Sequence, residues 1–268
     1  MIVELTNRSL LELSGKDAQS FLQNQFSNDV NALQEGVMQL NAFCQHQGKI
    51  IALFWLWRED EAFYLSFPKD LTQITTQRLN MFKLMSEVEI EDITDQYTQL
   101  GVIDEAGENS LKINDNQSLM VVEKSHDFEL SDENNWEQAC IENSLPEVSL
   151  TTSEAFVPQM LNLDIGEVGV SFTKGCYPGQ EVVARLHYLG KPKRRMYAFE
   201  CESEVAIGDK LVVSDSKSLK ASGQVVRAVE NKGKYQFLAT LEVKNKDSEI
   251  RLGDENGAII NYIKAFGE

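Results

Sequence analysis

The chain has 268 residues, and its 42 acidic against 25 Lys and Arg side chains give a formal net charge of −17. This charge disfavours general nucleic-acid binding, because a polyanion is repelled except at a local basic patch. The longest apolar run, IIALFWLW at 50–57, is too short to cross a bilayer, and the first residues lack a secretory-signal pattern.

The first third of the chain predicts alternating strands and helices. LLEL at 10–13 predicts a strand, and KDAQSFLQNQF at 16–26 predicts a helix capped by Ser14 or Asp17. The stretch 38–67 predicts a β-meander, whose segment with Phe54, Trp55 and Trp57 is expected to be core on both faces. A helix from Pro68 to about Leu84 follows. The candidate buried positions of the two helices are Ala18, Phe21, Leu22 and Phe26, then Leu71, Ile74, Leu79 and Phe82.

The predicted secondary structure of the rest of the chain changes near residue 190, from mixed strands and helices to short β-segments. Strands are predicted at 86–93, 98–104 and 117–123, and helices at 136–145 and 179–190. Five short β-segments follow, at 194–202, 209–215, 222–230, 235–243 and 257–266, and they predict a small barrel or sandwich. We therefore expect an α+β chain with two α+β subdomains in residues 1–190 and a C-terminal β-barrel domain in residues 191–268.

The stretch SFTKGCYPGQEVVARLHYLGKPKRR at 171–195 is unlike the rest, with one acid and six Lys or Arg residues around a cysteine. Cys176 follows Lys174 and precedes a predicted helix start at Gly179. A nearby cation and the positive end of a helix both favour the thiolate form. The alternative is a small buried thiol in a tight turn, and the residues alone leave both open. No histidine lies at a fixed local spacing, so a Cys-His protease is a weak interpretation.

Other cysteines and a metal centre are not expected to join this segment. Cys44, Cys140 and Cys201 are widely separated in the chain, so reduced, buried thiols in a cytoplasmic protein are predicted, rather than disulfides or a zinc site. An iron–sulfur cluster usually needs four closely placed thiolates. The sequence therefore predicts no resident metal.

Four segments resemble the signatures of one family. KGCYPGQEVVAR at 174–185 resembles the motif K-G-C-[YF]-x-G-Q-E-x-x-A-R of the YgfZ family, which is related to the T-protein (aminomethyltransferase) of the glycine cleavage system. LSGKDAQSFLQNQFSNDV at 13–30 resembles the family's opening motif, QGKI at 47–50 its G-[KR]-[IM] turn, and FVPQMLNLD at 156–164 its P-Q-x-x-N-L motif. The resemblance covers nearly the whole chain.

This resemblance implies a fold, a ligand and a role. The fold is a T-protein-like ring of three subdomains around a central cavity that accepts tetrahydrofolate, with a small C-terminal β-barrel. The role is support of iron–sulfur enzymes, including those that modify tRNA, so the implied partners are folate and iron–sulfur enzymes or assembly proteins, with tRNA contacted indirectly and no membrane. Cys176 is the counterpart of the family's functional cysteine, at the edge of the cavity, with Lys174 and Glu181 beside it.

T-protein chemistry itself is disfavoured by one position. T-protein carries an aspartate pair in a G-G-[IV]-x-D-D stretch, and the first aspartate works on the folate. The corresponding residue here is Ala52, which can neither move a proton nor hold an amine. Folate binding does not require that carboxylate, because shape and stacking can hold a pterin. The alternative function is a folate-dependent one-carbon transferase acting on an unknown substrate.

The resemblance also implies folate-binding residues. Trp136 matches a family tryptophan associated with folate, although it could equally pack its helix onto the core. A second family tryptophan falls at Arg8, whose guanidinium can stack on a ring or pair with folate carboxylates. Asn28 and Asp29 could line the cavity or simply form a helix end and turn. The remaining candidates are Gln159, Tyr177, Gln180 and Arg185.

The basic strip after the cysteine has several interpretations. It could attract the glutamate tail of folate, a tRNA or an acidic partner, or it could be a solvated surface between subdomains. The acidity of the whole chain makes direct tRNA binding the weaker choice. The strip consists of Arg185, His187, Lys191, Lys193, Arg194 and Arg195.

Overall fold

The computed structural model describes residues 1–104, 110–213 and 221–265. Within these ranges the chain forms three β-sheets and four α-helices. The strands are β1 (Ile2–Glu4), β2 (Arg8–Ser14), β3 (Gln39–Cys44), β4 (Ile50–Glu59), β5 (Ala62–Pro68), β6 (Glu89–Asp92), β7 (Tyr97–Ile103), β8 (Leu111–Lys112), β9 (Gln117–Glu123), β10 (Arg194–Cys201), β11 (Lys210–Val213), β12 (Gly223–Asn231), β13 (Lys234–Glu242), β14 (Ile250–Leu252) and β15 (Ile259–Ala265). The helices are α1 (Ala18–Gln25), α2 (Thr72–Phe82), α3 (Glu133–Glu142) and α4 (Gln180–Tyr188).

A five-stranded antiparallel sheet, in the order β3-β4-β5-β2-β6, forms the largest core. The predicted meander is confirmed as β3, β4 and β5. Every residue of β4 from Ile50 to Trp57 is buried, because both faces of this strand are covered. Phe54 packs against Phe26 and Phe67 at ring-centroid distances of 4.9 and 5.1 Å. Burying each such ring contributes about 1.5–3 kcal/mol, so this aromatic cluster fixes α1 against the sheet.

A four-stranded antiparallel sheet, in the order β1-β7-β9-β8, packs against α3. The contact between Trp136 of α3 and Gly101 of β7 requires a glycine. A Cβ atom added at Gly101 would lie 2.4 Å from the indole ring. The sheet therefore receives the tryptophan ring directly against its backbone.

The C-terminal strands close into a six-stranded barrel in the order β10-β13-β12-β11-β14-β15. The sequence left barrel and sandwich open, and the barrel is the outcome. Its interior includes Phe199 and Phe237, stacked at 5.7 Å between ring centroids. The predicted strand at 209–215 is observed as β11, and its last two residues lie outside the described ranges, as does Phe266 at the end of the last predicted strand. The domain boundary at 190/191 stays a prediction.

Three local predictions were wrong. Phe82 is 49% exposed because α2 ends there, and Thr75 is buried on this helix instead. Asp17 occupies the N-cap position of α1, but its carboxylate accepts a hydrogen bond from the Glu87 backbone N–H rather than from its own helix. Ser14 does not cap the helix either.

No helix in the described part of the chain is long and apolar enough to span a membrane.

Candidate functional site

A cavity of about 450 Å³ lies between the five-stranded sheet, the barrel and α3. We call it the first cavity. Charged and aromatic side chains from several elements line it. They are Arg8 at the start of β2, Trp136 and Glu137 on α3, Glu147 after α3, and Arg227 on β12. Its size is within the range of ligand pockets in proteins. The first cavity therefore brings together Arg8 and Trp136, two predicted folate residues that are 128 positions apart in the chain.

Four charged side chains form a continuous ion-pair network in the first cavity. Arg227 donates to Glu137 at 2.7 Å and to Glu147 at 2.6 Å, and Arg8 donates to the other oxygen of Glu147 at 2.8 Å. The Arg227 side chain is only 2% exposed, and its Nε atom has no hydrogen-bond partner among the described residues. Buried charges need such pairing, because an unpaired charge is costly inside a protein.

The two carboxyl groups of this network differ in proton affinity. Burial raises the pKa of Glu137, and Arg227 offsets only part of that effect. Burial would also raise the pKa of Glu147, but Arg227 and Arg8 together outweigh it and the pKa is lowered. Glu147 is therefore held as a carboxylate, whereas Glu137 takes up a proton more readily.

A wall of stacked side chains limits the first cavity. The guanidinium carbon of Arg8 lies 4.1 Å from the centroid of the Trp55 ring, and Trp55 meets Trp136 edge to face at 5.9 Å. Arg8 also donates from Nε to the Ser66 hydroxyl at 2.8 Å. Trp136 both packs on Gly101 and lines the cavity, so the two interpretations of this residue are compatible.

A second cavity, of about 380 Å³, includes Trp55 in its lining. It lies between β3, β4, the turn before β9, and the segments at 143–146 and 161–168. The Asn28 side-chain amide donates to the carbonyls of Leu40 at 3.1 Å and Val168 at 3.5 Å, and both of these residues line the cavity. Asn28 therefore supports the rim of the second cavity rather than the first.

Cys176 is exposed, whereas Cys44, Cys140 and Cys201 are buried. It lies in a loop between Lys174 and Gly179, and a Cβ atom added at the neighbouring Gly175 would meet only open space. Cys176 is not among the residues that line either cavity. The prediction that Cys176 lies at the edge of a cavity is therefore not supported for either cavity, since the residue is exposed to solvent outside both.

Lys174 serves the backbone of α1 rather than the thiol. Its ammonium donates to the carbonyls of Gln23, Phe26 and Asn28, at the end of α1 and just beyond it. An ammonium has three protons, so these carbonyls take all of them. Burial lowers the pKa of Lys174 to about 8, against the opposing charge of Asp29. The expectation that Lys174 favours the Cys176 thiolate is therefore corrected: Lys174 caps a helix C-terminus.

The four family-like segments meet around the loop of Cys176. Gly179, in the left-handed region at φ +84°, packs so closely on Gly48 that an added Cβ would lie 2.6 Å from the Gly48 Cα. Gln159 is fully buried and donates to the Val183 carbonyl on α4 at 2.7 Å. With Lys174 tied to α1, this loop is held from three directions. Gln159 is thus a support of α4 and lies in neither cavity lining.

The other predicted site residues lie near the loop but outside both cavity linings. Asp29 accepts from the Asn31 backbone N–H and so caps a short 3-10 turn. Tyr177 is buried, which raises its pKa, and its ring lies 5.2 Å from the Lys174 ammonium. Gln180 donates to the Gly175 carbonyl at 3.4 Å. Glu181 and Arg185 form an exposed ion pair at 3.1 Å on α4.

The basic strip is largely neutralised within the chain. Arg195 pairs with Asp164 through two hydrogen bonds, and Arg194 pairs with Glu242 at 3.4 Å. His187 stacks on Phe172. Within the described ranges, Lys191 and Lys193 are the cations of the strip without an acidic partner. Two free lysines are a small target for a polyanion.

Comparisons with known proteins identify the chain. A family profile described as "GCVT N-terminal domain" matches residues 1–113. A Haemophilus influenzae protein described as uncharacterized is 36% identical over 86% of this chain and 85% of its own length. The "tRNA-modifying protein YgfZ" of Vibrio atlanticus is 30% identical over 73% of this chain and 68% of its own length. The chain belongs to the YgfZ family.

Further matches extend the family assignment to the whole chain. The YgfZ of Hamiltonella defensa is 29% identical over 99% of this chain and 90% of its own length. The crystal structure of glycine cleavage system aminomethyltransferase T from Bartonella henselae matches with a TM-score of 0.73, at 12% identity, over 98% of this chain and 84% of that one. The T-protein-like fold expected for a YgfZ protein is therefore confirmed.

The first cavity of this YgfZ protein also contains residues that the sequence did not reveal. Glu137, Glu147 and Arg227 were not among the predicted site residues. A single cation in the apolar run VVRAVE at 225–230 was the available signal for Arg227. Ala52 is fully buried in β4 opposite Phe43, so no acidic group occupies that position of the T-protein motif.

Proposed function

We propose that this YgfZ protein binds tetrahydrofolate in the first cavity and supports iron–sulfur enzymes, and through them tRNA modification, by way of the exposed Cys176 thiol. The observation that carries the folate part is the first cavity itself. It combines an indole, four carboxyl groups, two guanidinium groups and an ammonium group between the five-stranded sheet, the barrel and α3. We place this activity in the cytoplasm, where thiols stay reduced.

The residues of the first cavity fit a reduced pterin. A pterin presents an amino group beside a ring N–H, and a carboxylate can accept from both. Both oxygens of Glu147 are occupied by arginines, but Oε1 of Glu137 makes no hydrogen bond to another described residue. Glu137, whose side chain is 28% exposed, would hold the pterin edge. Lys69, exposed at the same cavity, would attract the tail carboxylates.

Bound tetrahydrofolate supplies a carrier for one-carbon units. The protein's own contribution is to bind and orient that carrier. Trp136 is 2% exposed and so forms part of the cavity wall, and the Arg8–Trp55 stack limits how deeply the ring enters. Arg8 replaces a family tryptophan and is fully engaged by Ser66, Glu147 and Trp55. We therefore assign Arg8 to the wall of the site rather than to the folate tail.

Cys176 supplies the second part of the proposal. A thiol in an open loop can be reached by a partner protein, and the three buried thiols cannot. We assign it a redox or transient-ligand role toward iron–sulfur enzymes or their assembly proteins. Because the basic strip is mostly ion-paired, tRNA contact is assigned to those partners.

A second candidate function is folate-dependent one-carbon transfer to an unknown substrate. The raised pKa of Glu137 favours it, since a carboxyl group that takes up a proton more readily is better suited to proton transfer. Glycine-cleavage chemistry stays disfavoured by Ala52. Turnover of tetrahydrofolate to methylenetetrahydrofolate with added methylamines would support this second function, and absence of turnover would favour the first.

Titration with tetrahydrofolate tests the folate part. Tryptophan fluorescence should change saturably in the wild type and in Trp57→Phe, because Trp57 stacks on Tyr64 and lines neither cavity. Trp136→Phe should lose most of the signal, and Glu137→Gln should bind more weakly. Equal binding by Glu137→Gln and wild type would refute the assigned pterin edge.

The Cys176 part has its own test in cells. Cys176→Ala should fold normally, because the side chain is exposed, yet cells relying on it should lose iron–sulfur enzyme activity and the dependent tRNA modifications. Cys201→Ala is the matched control at a buried thiol. Normal enzyme activity with Cys176→Ala would remove this residue from the proposal while leaving the folate part standing.

A further inference from the structure

The end of α4 leaves large apolar side chains in water. All residues at 187–191 are exposed, and Tyr188 and Leu189 are 64% and 85% exposed. Single exposed apolar residues are ordinary, but a contiguous patch of them is typical of a surface that another molecule covers. The half-buried Phe172 extends this patch, because its ring meets that of Tyr188 edge to face at 6.1 Å. We call Phe172, Tyr188 and Leu189 the α4 patch.

The α4 patch and Cys176 lie along the same helix. His187, near the end of α4, stacks on Phe172 at 3.7 Å between ring centroids, and Gln180, the first residue of α4, donates to the Gly175 carbonyl at 3.4 Å. The segment at 172–175 therefore runs antiparallel beside the helix, from its last turn to its first. Because a helix rises about 1.5 Å per residue, this run covers about 10 Å. The exposed thiol thus lies on the order of 10 Å from the α4 patch.

Two lysines border the α4 patch. Lys191 and Lys193 follow it directly in the chain and are exposed, and neither has an acidic partner in the part of the chain that the structure describes. Arg185, one turn earlier, is already paired with Glu181 at 3.1 Å. In a chain with a net charge of −17, the two lysines reverse the sign of the charge locally. A partner that covers the patch can pair carboxylates with them.

A protein segment suits this surface better than a nucleic acid does. Leu189, the most exposed member of the α4 patch, has no ring on which a base can stack. Two lysines can neutralise few phosphates of a polyanion that the whole chain repels. A peptide with one large apolar side chain and one or two carboxylates matches both the patch and the lysines.

We propose that the α4 patch, together with Lys191 and Lys193, docks a short acidic segment of a partner protein. The segment's apolar side chain covers Leu189 and Tyr188, and its carboxylates pair with the two lysines. About three extended residues, at about 3.3 Å each, then connect the docked side chain to the thiol of Cys176. The inference rests on the proposed function in one respect: the docked protein is the one on which Cys176 acts.

Peptides with an activated cysteine measure this docking. In each peptide the cysteine forms a disulfide with thionitrobenzoate, and a short Gly-Ser spacer separates it from the test residues. The Cys176 thiolate attacks the peptide sulfur, a new disulfide joins peptide and protein, and thionitrobenzoate leaves as a coloured thiolate with the electrons of the broken bond. The test residues are leucine flanked by aspartates, leucine flanked by lysines, and serine flanked by aspartates. Each rate is divided by that of the mixed disulfide of mercaptoethanol, which corrects for the reactivity of the thiol.

The acidic leucine peptide should react about tenfold faster than the basic one and several-fold faster than the acidic serine peptide. The net charge of −17 alone predicts the opposite order for the two leucine peptides, so a faster basic peptide would overturn the proposal. The preference for the acidic peptide should shrink in about 1 M salt, where charges are screened beyond about 3 Å. A preference that is unchanged by salt would refute the pairing with the lysines.

Two variants remove the two parts of the surface. Leu189→Glu should abolish the advantage of leucine over serine, whereas Leu84→Glu, at a leucine that is 83% exposed after α2, should keep it. Lys191→Glu/Lys193→Glu should abolish the advantage of the acidic peptide. The control Lys124→Glu/Lys232→Glu makes the same change of net charge at two other exposed lysines and should keep that advantage. Equal effects of variant and control would overturn the proposal.

A competitor and a cell assay separate the remaining outcomes. Transfer RNA at about 0.15 M salt should leave the rate of the acidic peptide unchanged, because the chain as a whole repels it. Protection of Cys176 by tRNA would assign the surface to nucleic acid and overturn the docking of a protein. Normal iron–sulfur enzyme activity in Cys176→Ala cells would count against the proposed function alone, because the peptide rates measure docking without reference to that activity.

Discussion

Replacing Arg227 by methionine tests whether the buried ion-pair network holds the five-stranded sheet, α3 and the barrel together. The change removes two charged hydrogen bonds, of 2.7 Å to Glu137 and 2.6 Å to Glu147, from a site that is almost closed to water. Glu147 keeps Arg8 as a partner, but Glu137 loses its ion-pair partner. Leaving a buried charge without its partner costs about 3–5 kcal/mol, and the 28% exposed Glu137 side chain places the expected cost at about 3 kcal/mol or less. That is a large part of a typical stability of about 5–15 kcal/mol.

The assay is denaturant unfolding of Arg227→Met beside Arg78→Met as a control. Arg78 pairs with Glu154 at a similar 2.8 Å, but its side chain is 33% exposed, so its loss should cost no more than about 1 kcal/mol. In a double-mutant cycle, Glu137→Gln should reduce the cost of Arg227→Met, because the unpaired charge is then absent. If both arginine variants unfolded at the same denaturant concentration, the network would have no special role in stability.

The pH dependence of the same variants follows from the directions of the pKa shifts. The pKa of Glu147 is lowered in the folded protein, so its contribution to stability is present above the ordinary glutamate pKa of 4.5 and is lost as the pH falls through the folded pKa. The pKa of Glu137 is raised, so its ionisation costs stability as the pH rises above 4.5. The stability difference between wild type and Arg227→Met should therefore shrink as the pH falls below 4.5. A difference that is constant with pH would refute the electrostatic explanation.

Three further predictions concern single contacts. Ellman's reagent should titrate one thiol in the native protein and four after denaturation. Only Cys176 is exposed, because Cys201 is buried and burial raises the pKa of Cys44 and Cys140 to about 12. A second fast-reacting thiol in the native protein would contradict this burial. Gly101→Ala should destabilise the fold by about 1–3 kcal/mol in thermal unfolding and alter Trp136 emission, since the added carbon would lie 2.4 Å from the indole. Unchanged stability would show that α3 moves freely to make room for the added carbon. Lys174→Met should lower the stability by about 1–3 kcal/mol, because three backbone carbonyls lose their donor. The alkylation rate of Cys176 should stay unchanged. A slower rate would show that Lys174 activates the thiol.

The sequence predicted those elements whose hydrophobic period is long enough to be seen. The meander of β3 to β5 and the start of α4 after Gly179 are where the pattern placed them. Strands β1, β8 and β14 have three, two and three residues, which is too few to show alternation. Phe82 was wrongly predicted to be buried because the helical spacing of apolar residues in the sequence continues past the point where neighbouring elements stop covering the helix.

The candidate site was predictable only in part, because its charges are paired across the fold. Arg227 lies 80 positions from Glu147 and 90 from Glu137, so no local spacing connects them. Lys174 lies two residues from Cys176 in the chain, and this closeness suggested a joint role. The Lys174 ammonium instead donates to carbonyls at and just beyond the end of α1, about 150 residues earlier in the chain, which lack a partner within the helix.

Arg8 shows how a buried charge is accommodated in the wall of the first cavity. Its guanidinium places a flat group against Trp55 but adds a charge to a buried position. That charge requires an acid, and Glu147 supplies it while also pairing with Arg227. Two guanidinium groups and two carboxyl groups then balance, so the network adds no net charge to the first cavity. An anionic ligand is therefore not drawn in by a surplus of positive charge. Its binding must rest on individual exposed groups such as Lys69, in a protein whose overall field repels it.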